Sequence, residues 1–102
     1  MPYIVGVLEE EQDRLLGQKA DYTSILKDLP RTGGSIVVKS IAGHKYHYFA
    51  YREGKKVKTK YIRKKDLETF QKKVMERDRI CRIIEGIDED LGVIEKSLRG
   101  KA

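Results

Sequence analysis

The sequence predicts an α+β fold in the order helix, three-stranded antiparallel meander, long helix. Three observations predict it. Residues 9–29 and 65–99 repeat apolar side chains at three- and four-residue steps, the period of a helix with one buried stripe. Residues 35–62 hold three short runs rich in Val, Ile and Tyr, separated by glycine-bearing breaks, the pattern of strands joined by tight turns. Apolar residues make up 39% of the 102 and charged residues 37%. That is lean for a compact globule but sufficient for amphipathic helices that bury one stripe each. A chain of this length is expected to form a single domain spanning 1–102.

In the first helix (9–29), Leu8, Leu15, Leu16, Tyr22, Ile25, Leu26 and Leu29 form the stripe. Glu9, Glu10, Glu11 and Asp13 are expected in its first turn, where negative charge suits the helix dipole. Gly17 weakens the interior and suggests a local bend. Pro30 is expected to stop the helix, with Arg31-Thr32-Gly33-Gly34 as a flexible link.

Strands are expected at 35–40, 46–52 and 57–62, with turns at Ala42-Gly43-His44 and Glu53-Gly54-Lys55. Alternation of side chains splits these runs into two faces. Ile36, Val38, Tyr46, Tyr48, Ala50, Val57, Thr59 and Tyr61 contain no lysine and are assigned to the core. Val37, Lys39, His47, Phe49, Tyr51, Lys58, Lys60 and Ile62 interleave cations with rings and are assigned to solvent or a partner. A slip of register in one strand exchanges these memberships.

The second helix (65–99) has Asp66 and Glu68 at its start and Arg99 near its end, as the dipole favours. From Ile80 onward its apolar steps approximate a coiled-coil seam. A kink is expected near Gly86. The two helices are expected to run antiparallel and to be partly coiled-coil-like. At 1.5 Å per residue they span about 30 and 50 Å, so the first cannot cover the second. The overhang predicts a homodimer through Ile83, Ile87, Leu91, Ile94 and Leu98.

The charge is unevenly placed. Residues 39–65 hold ten Lys or Arg against one acid, Glu53, a net +9, so the rest of the chain carries −3 of the overall +6. Such a concentration favours an anionic partner. Catalysis finds no support. The one cysteine, Cys81, falls mid-helix, and His44 and His47 have no neighbouring carboxylate or thiolate for a metal set. The Asp88-Glu89-Asp90 run lacks the glycine and alternating ligands of a calcium loop. Thr32-Gly33-Gly34 lacks the lysine and spacing of a phosphate loop. No enzyme, metal, cofactor or small-molecule substrate is expected. The amino-terminal stretch meets acids at Glu9–Glu11 and reads as neither signal peptide nor membrane span, so a soluble cytoplasmic protein is expected.

The functional expectation is therefore a nucleic-acid-binding module, DNA ahead of RNA, with a sheet entering the major groove of a duplex. Lys39, His47, Phe49, Tyr51, Lys58 and Lys60 would form its surface, with Arg52, Lys55 and Lys56 on phosphates. The alternative is a protein-interaction or oligomerisation adaptor acting through the second helix.

The tyrosine-rich run Tyr46-His47-Tyr48-Phe49-Ala50-Tyr51, the turn Tyr51-Arg52-Glu53-Gly54 and the strand Lys56-Val57-Lys58-Thr59-Lys60-Tyr61-Ile62 resemble a small, uncharacterised family of prokaryotic proteins. Similar strings occur near the start of some transposases. More distantly, the strand order followed by a helix is similar to the arm-type DNA-binding domains of phage integrases, which place a three-stranded sheet in the major groove. The resemblance covers about a third of the chain; the family itself names no activity, so the DNA expectation rests on the sheet faces and the charge. Arg63 departs from the family pattern, which often has glycine there.

Overall fold

A computed structural model describes residues 2–100. The chain is α+β: helix α1 (Pro2–Leu26), strands β1 (Ser35–Ile41), β2 (His44–Glu53) and β3 (Lys56–Ile62), a single 3₁₀ turn (Lys64–Asp66) and helix α2 (Leu67–Arg99). It divides into two compact units. One comprises residues 1–27 and 79–102, the other residues 28–78, and α2 contributes to both.

The first unit is a helical hairpin. Leu15, Ile87 and Ile94 are buried at its centre, with Leu8, Tyr22, Ile83, Leu91 and Leu98 packed against them. On α1 the positions at least partly covered are Val5, Gly6, Leu8, Glu11, Gln12, Leu15, Lys19, Tyr22 and Leu26. Seven of them, Val5, Leu8, Gln12, Leu15, Lys19, Tyr22 and Leu26, follow one another in alternating three- and four-residue steps, a single helical stripe. Two of the seven are polar, and Lys19 Nζ reaches Asp88 Oδ1 at 2.6 Å. The outer side of α1 carries the exposed pair Arg14–Glu11, whose side-chain hydrogen bond, helped by Coulomb attraction, holds the Glu11 carboxyl below its ordinary range.

Three expectations change here. The first helix begins at Pro2 rather than near residue 9, because Val5 and Leu8 continue the stripe upstream of the acids. Glu9, Glu10, Glu11 and Asp13 therefore lie beyond its first turn. It ends at Leu26 rather than at 29. Pro30 disfavours helical geometry at Leu29, and Lys27 N donates to the Ser24 carbonyl at 3.3 Å as the last turn tightens. Both helices run through their glycines, Gly17 in α1 and Gly86 and Gly92 in α2, as single elements.

The overhang also disappears. Residues 79–99 of α2 span about 31 Å and α1, at 25 residues, about 37 Å. Ile83, Ile87, Leu91, Ile94 and Leu98, expected to pair with a second copy, instead pack in the core of their own hairpin.

The second unit is the antiparallel sheet, in the order β1-β2-β3, and the first part of α2. Two-residue turns set its register. Ala42 and Gly43 both take positive φ (51° and 81°), the requirement of a type I′ turn, and Ile41 pairs with His44. Gly54, at φ 62°, occupies the first central position of the second turn, and Glu53 pairs with Lys56.

Directly paired residues share a face, so the sheet sorts itself. Ile36, Phe49 and Lys60 form one cross-strand row, and Val38, His47 and Ile62 the next. This is the covered face: Phe49 is 4% exposed and Ile62 5%. The Phe49 ring meets Phe70 of α2, with centroids 5.2 Å apart. The opposite face holds the rows Val37–Tyr48–Tyr61 and Ser35–Ala50–Thr59 and the pairs Lys39–Tyr46, Arg52–Val57 and Ile41–His44.

The expected faces are thus corrected. Ile36 and Val38 lie on the covered side as expected, and Val37 and Lys39 on the open side. The assignments for β2 and β3 are inverted, with Phe49 and Ile62 inside and Tyr46, Tyr48 and Tyr61 outside. The physical reason lies in polar atoms. Phe and Ile have none, so their burial leaves nothing unsatisfied, whereas each tyrosine hydroxyl needs a partner.

A buried arginine closes this unit. Arg77, 6% exposed, donates from Nη1 to the carbonyls of Arg31 (2.8 Å) and Gly34 (2.7 Å), while its Nε and Nη2 meet Asp78 Oδ1. Residues 31–34 form a turn with Gly33 at φ 87°, closed by Gly34 N donating to the Arg31 carbonyl at 3.1 Å. Gly34 itself admits no side chain, since a Cβ there would lie 2.8 Å from Phe49 Cε2.

Candidate nucleic-acid interface

The open face of the sheet is an aromatic surface bordered by cations. Tyr48 and Tyr61, direct cross-strand partners, meet edge to face with centroids 5.6 Å apart. Tyr46 tilts against Tyr61 at 6.4 Å, and His44 against Tyr46 at 6.5 Å. Lys39 lies over the Tyr48 ring with its Nζ 5.0 Å from the centroid, a cation–π contact that holds the ammonium at the rim of the cluster. Tyr61 is 50% exposed and Val57 64%, while Tyr46 and Tyr48 are half-buried by their neighbours. Beside the tyrosine row, Ser35, Ala50 and Thr59 make a shelf of small side chains, and beyond it Arg52 is exposed opposite Val57.

The residues expected at the interface are divided between the two faces. Lys39 and Arg52 stand on the open one. Lys55 is at the tip of the second turn and Lys56 beside it, opposite Glu53. Phe49 is buried and leaves the surface. Tyr51 is half-buried on the covered side, stacked on Phe49 at 5.8 Å and capped by the Arg31 guanidinium at 5.5 Å. His47 is half-buried on the same side, facing away from His44. Lys58 pairs with Glu53 at 2.8 Å. Lys60 remains exposed at the sheet edge, where it lines, with Arg63 and Lys73, a concavity of about 410 Å³ beside Phe70. Tyr46, Tyr48, Tyr61 and His44 are the open-face residues that sequence reasoning missed. The two-residue turns were the available signal, because they fix which residues share a face.

The charge of this region is largely unneutralised. Lys45, Arg52, Lys55, Lys56, Lys60, Lys64 and Lys65 form no ion pair among the described residues, whereas Lys58 and Arg63 do. The field of net +9 across residues 39–65 is therefore available to a partner. Among the described residues no three His, Cys, Asp or Glu side chains come together, and no helix is long and apolar enough to cross a membrane.

No curated protein and no solved structure matches the chain. A family model described as a domain of unknown function (DUF6788) matches residues 7–72, a span that takes in the whole sheet with its turns, and the chain belongs to that family.

Proposed function

We propose that this protein is a non-enzymatic nucleic-acid-binding module that engages DNA through the open face of its sheet. One observation carries the reading: three tyrosine rings and the cations Lys39 and Arg52 share an uncovered face, within a segment of net charge +9. Cations meet phosphates, and rings meet sugars or bases; a sheet presenting both together suits a nucleic acid better than a polyanion without bases. The likeness of the strand pattern to the starts of transposases and to integrase arm-type domains points to the same class of ligand. The duplex expectation was built partly on Phe49, Tyr51, Lys58 and Lys60, and α2 now covers that face. The adaptor alternative acts through the second helix, whose Ile83, Ile87, Leu91, Ile94 and Leu98 take part in the helical cluster with Leu8, Leu15 and Tyr22, so the open sheet face is the better supported reading.

The test is a salt titration of binding to random-sequence DNA. Affinity should fall steeply with salt, and Lys39→Ala with Arg52→Ala should make the log–log slope shallower by about two units. An unchanged slope in the double variant would remove the open face from the interface.

A further inference from the structure

The open face is suited to one form of nucleic acid. Reading base pairs in a groove takes long polar side chains, above all Arg, Lys, Asn and Gln, aimed at base edges. The middle of this face has none: its central rows are Val37–Tyr48–Tyr61 and Ser35–Ala50–Thr59, and its cations, Lys39 and Arg52, stand toward opposite ends. What the middle offers is π surface and a small-residue shelf beside it. In a duplex the faces of the bases are already stacked on one another and only their edges are accessible. In a single strand the faces are free.

From Tyr46 to Arg52 along β2 is about 20 Å, room for a short run of nucleotides with cations beside both ends of the path. Lys39 already occupies one side of the Tyr48 ring, and Tyr48 and Tyr61 meet edge to face. The half-exposed Tyr61 is therefore the principal landing surface for a base, with Tyr46 next to it. Val57, Ile41 and Val37 add apolar contact of the kind a thymine methyl and a deoxyribose accept.

Resting on the nucleic-acid reading above, we propose that the protein binds single-stranded, thymine-rich DNA by stacking unpaired bases on Tyr61 and Tyr46. Stacking on aromatic side chains tolerates sequence, because every base has a π face. The charge complementarity needed to hold the backbone comes from Lys39, Arg52 and the turn lysines Lys55 and Lys56.

The chain contains six tyrosines and no tryptophan, and three of the six, Tyr46, Tyr48 and Tyr61, lie on this face, so a share of its intrinsic emission reports on these rings. The experiment titrates the full chain with an oligothymidylate of about twelve nucleotides, the same strand annealed to its complement, and an oligouridylate, all at one salt concentration. Oligothymidylate should bind more tightly than the duplex and quench tyrosine emission. Tyr61→Ala and Tyr46→Ala should each weaken binding on the order of tenfold, while Tyr61→Phe should retain affinity because the ring face is kept. Tighter duplex binding that is indifferent to Tyr61→Ala would overturn the stacking proposal and leave the DNA-binding reading standing. Binding of none of the three would overturn both. Tighter oligouridylate binding would overturn the assignment to DNA. Binding of oligothymidylate by the unaltered protein without quenching would sink the stacking role even if the alanine variants fail to fold.

Discussion

The Gly34 carbonyl accepts a 2.7 Å hydrogen bond from Arg77 Nη1, tying α2 to the residue that precedes β1. The same nitrogen reaches the Arg31 carbonyl, so one guanidinium secures both ends of the turn that launches the sheet. Replacing Arg77 by methionine would keep much of the packing but strand a buried carbonyl. The expected loss of stability is about 2–3 kcal/mol, read from urea unfolding followed by circular dichroism. Arg77→Lys should recover less than half of it, since an ammonium cannot reproduce the guanidinium's spread of donors. A loss under about 0.5 kcal/mol for the methionine variant would mean the contact is not structural.

The two faces of the sheet predict opposite responses to truncation. Phe49→Ala removes a ring packed on Phe70 and Tyr51 and should cost about 3–5 kcal/mol. Tyr61→Ala removes a half-exposed ring and should cost under about 1 kcal/mol. Equal losses in the same unfolding assay would contradict the assignment of covered and open faces.

In the helical hairpin, Ile87→Ala should cost about 2–5 kcal/mol through the cavity it leaves, whereas Val93→Ala, on the exposed side, should stay within about 0.5 kcal/mol. Because the seam is filled from within one chain, the melting temperature should not depend on protein concentration. A rise in melting temperature with concentration would show that a second copy contributes to the fold.

Four helical glycines, Gly6, Gly17, Gly86 and Gly92, have room for a side chain, and two of them are exposed. A Cβ at Gly17 or at Gly86 would meet nothing within 4 Å, and both lie on exposed helix positions. Gly17→Ala and Gly86→Ala should each raise stability by about 0.5–1 kcal/mol. Thermal unfolding of each variant checks this, and a decrease would indicate that the glycine serves a contact.

Glu53 is the single acid within the basic segment, and it holds Lys58 at 2.8 Å with Arg31 at 3.9 Å. Removing its charge by Glu53→Gln should release Lys58 and steepen the salt dependence of DNA binding by up to about 0.9 units. Little change in stability is expected from losing an exposed pair. Weaker binding in the variant would argue that Glu53 positions Lys58 rather than masking it.

Much of this architecture was legible in the residues themselves. The alternation of Leu15, Tyr22 and Leu26, and of Ile80, Ile84, Ile87, Leu91, Ile94 and Leu98, specifies two stripes that fit each other. The strands fall within one or two residues of where the turn glycines and β-rich runs place them. The sheet faces were not legible by the rule applied, which took lysine as the mark of an open side. Lys58 and Lys60 belong to β3, an edge strand, where a long apolar stem can run past a covering helix and deliver its ammonium to water. The better guides were the lack of polar atoms in Phe49 and Ile62 and the length of the Ala42-Gly43 turn. Reading that turn as three residues rather than two shifts the parity of β1 against β2. The homodimer expectation set the first helix against the whole of α2; only the part of α2 from residue 79 belongs to the helical unit, and its length is close to that of α1.

The Lys19–Asp88 pair makes misalignment of the hairpin an asymmetric error. Sliding α2 by one heptad in one direction would set Lys19 against Cys81, losing the ion pair. Sliding it in the other would offer Glu95, an acid of similar reach, so charge alone would tolerate the mistake. That second slip is guarded differently: it would carry Leu98 toward Leu15 and leave Leu8 beyond the end of α2 with no apolar partner. One wrong alignment thus forfeits a partly exposed ion pair, a small penalty, and the other forfeits apolar contact, a larger one. Glu95→Lys, which turns the decoy into a repulsive site, should sharpen the alignment without touching the native seam.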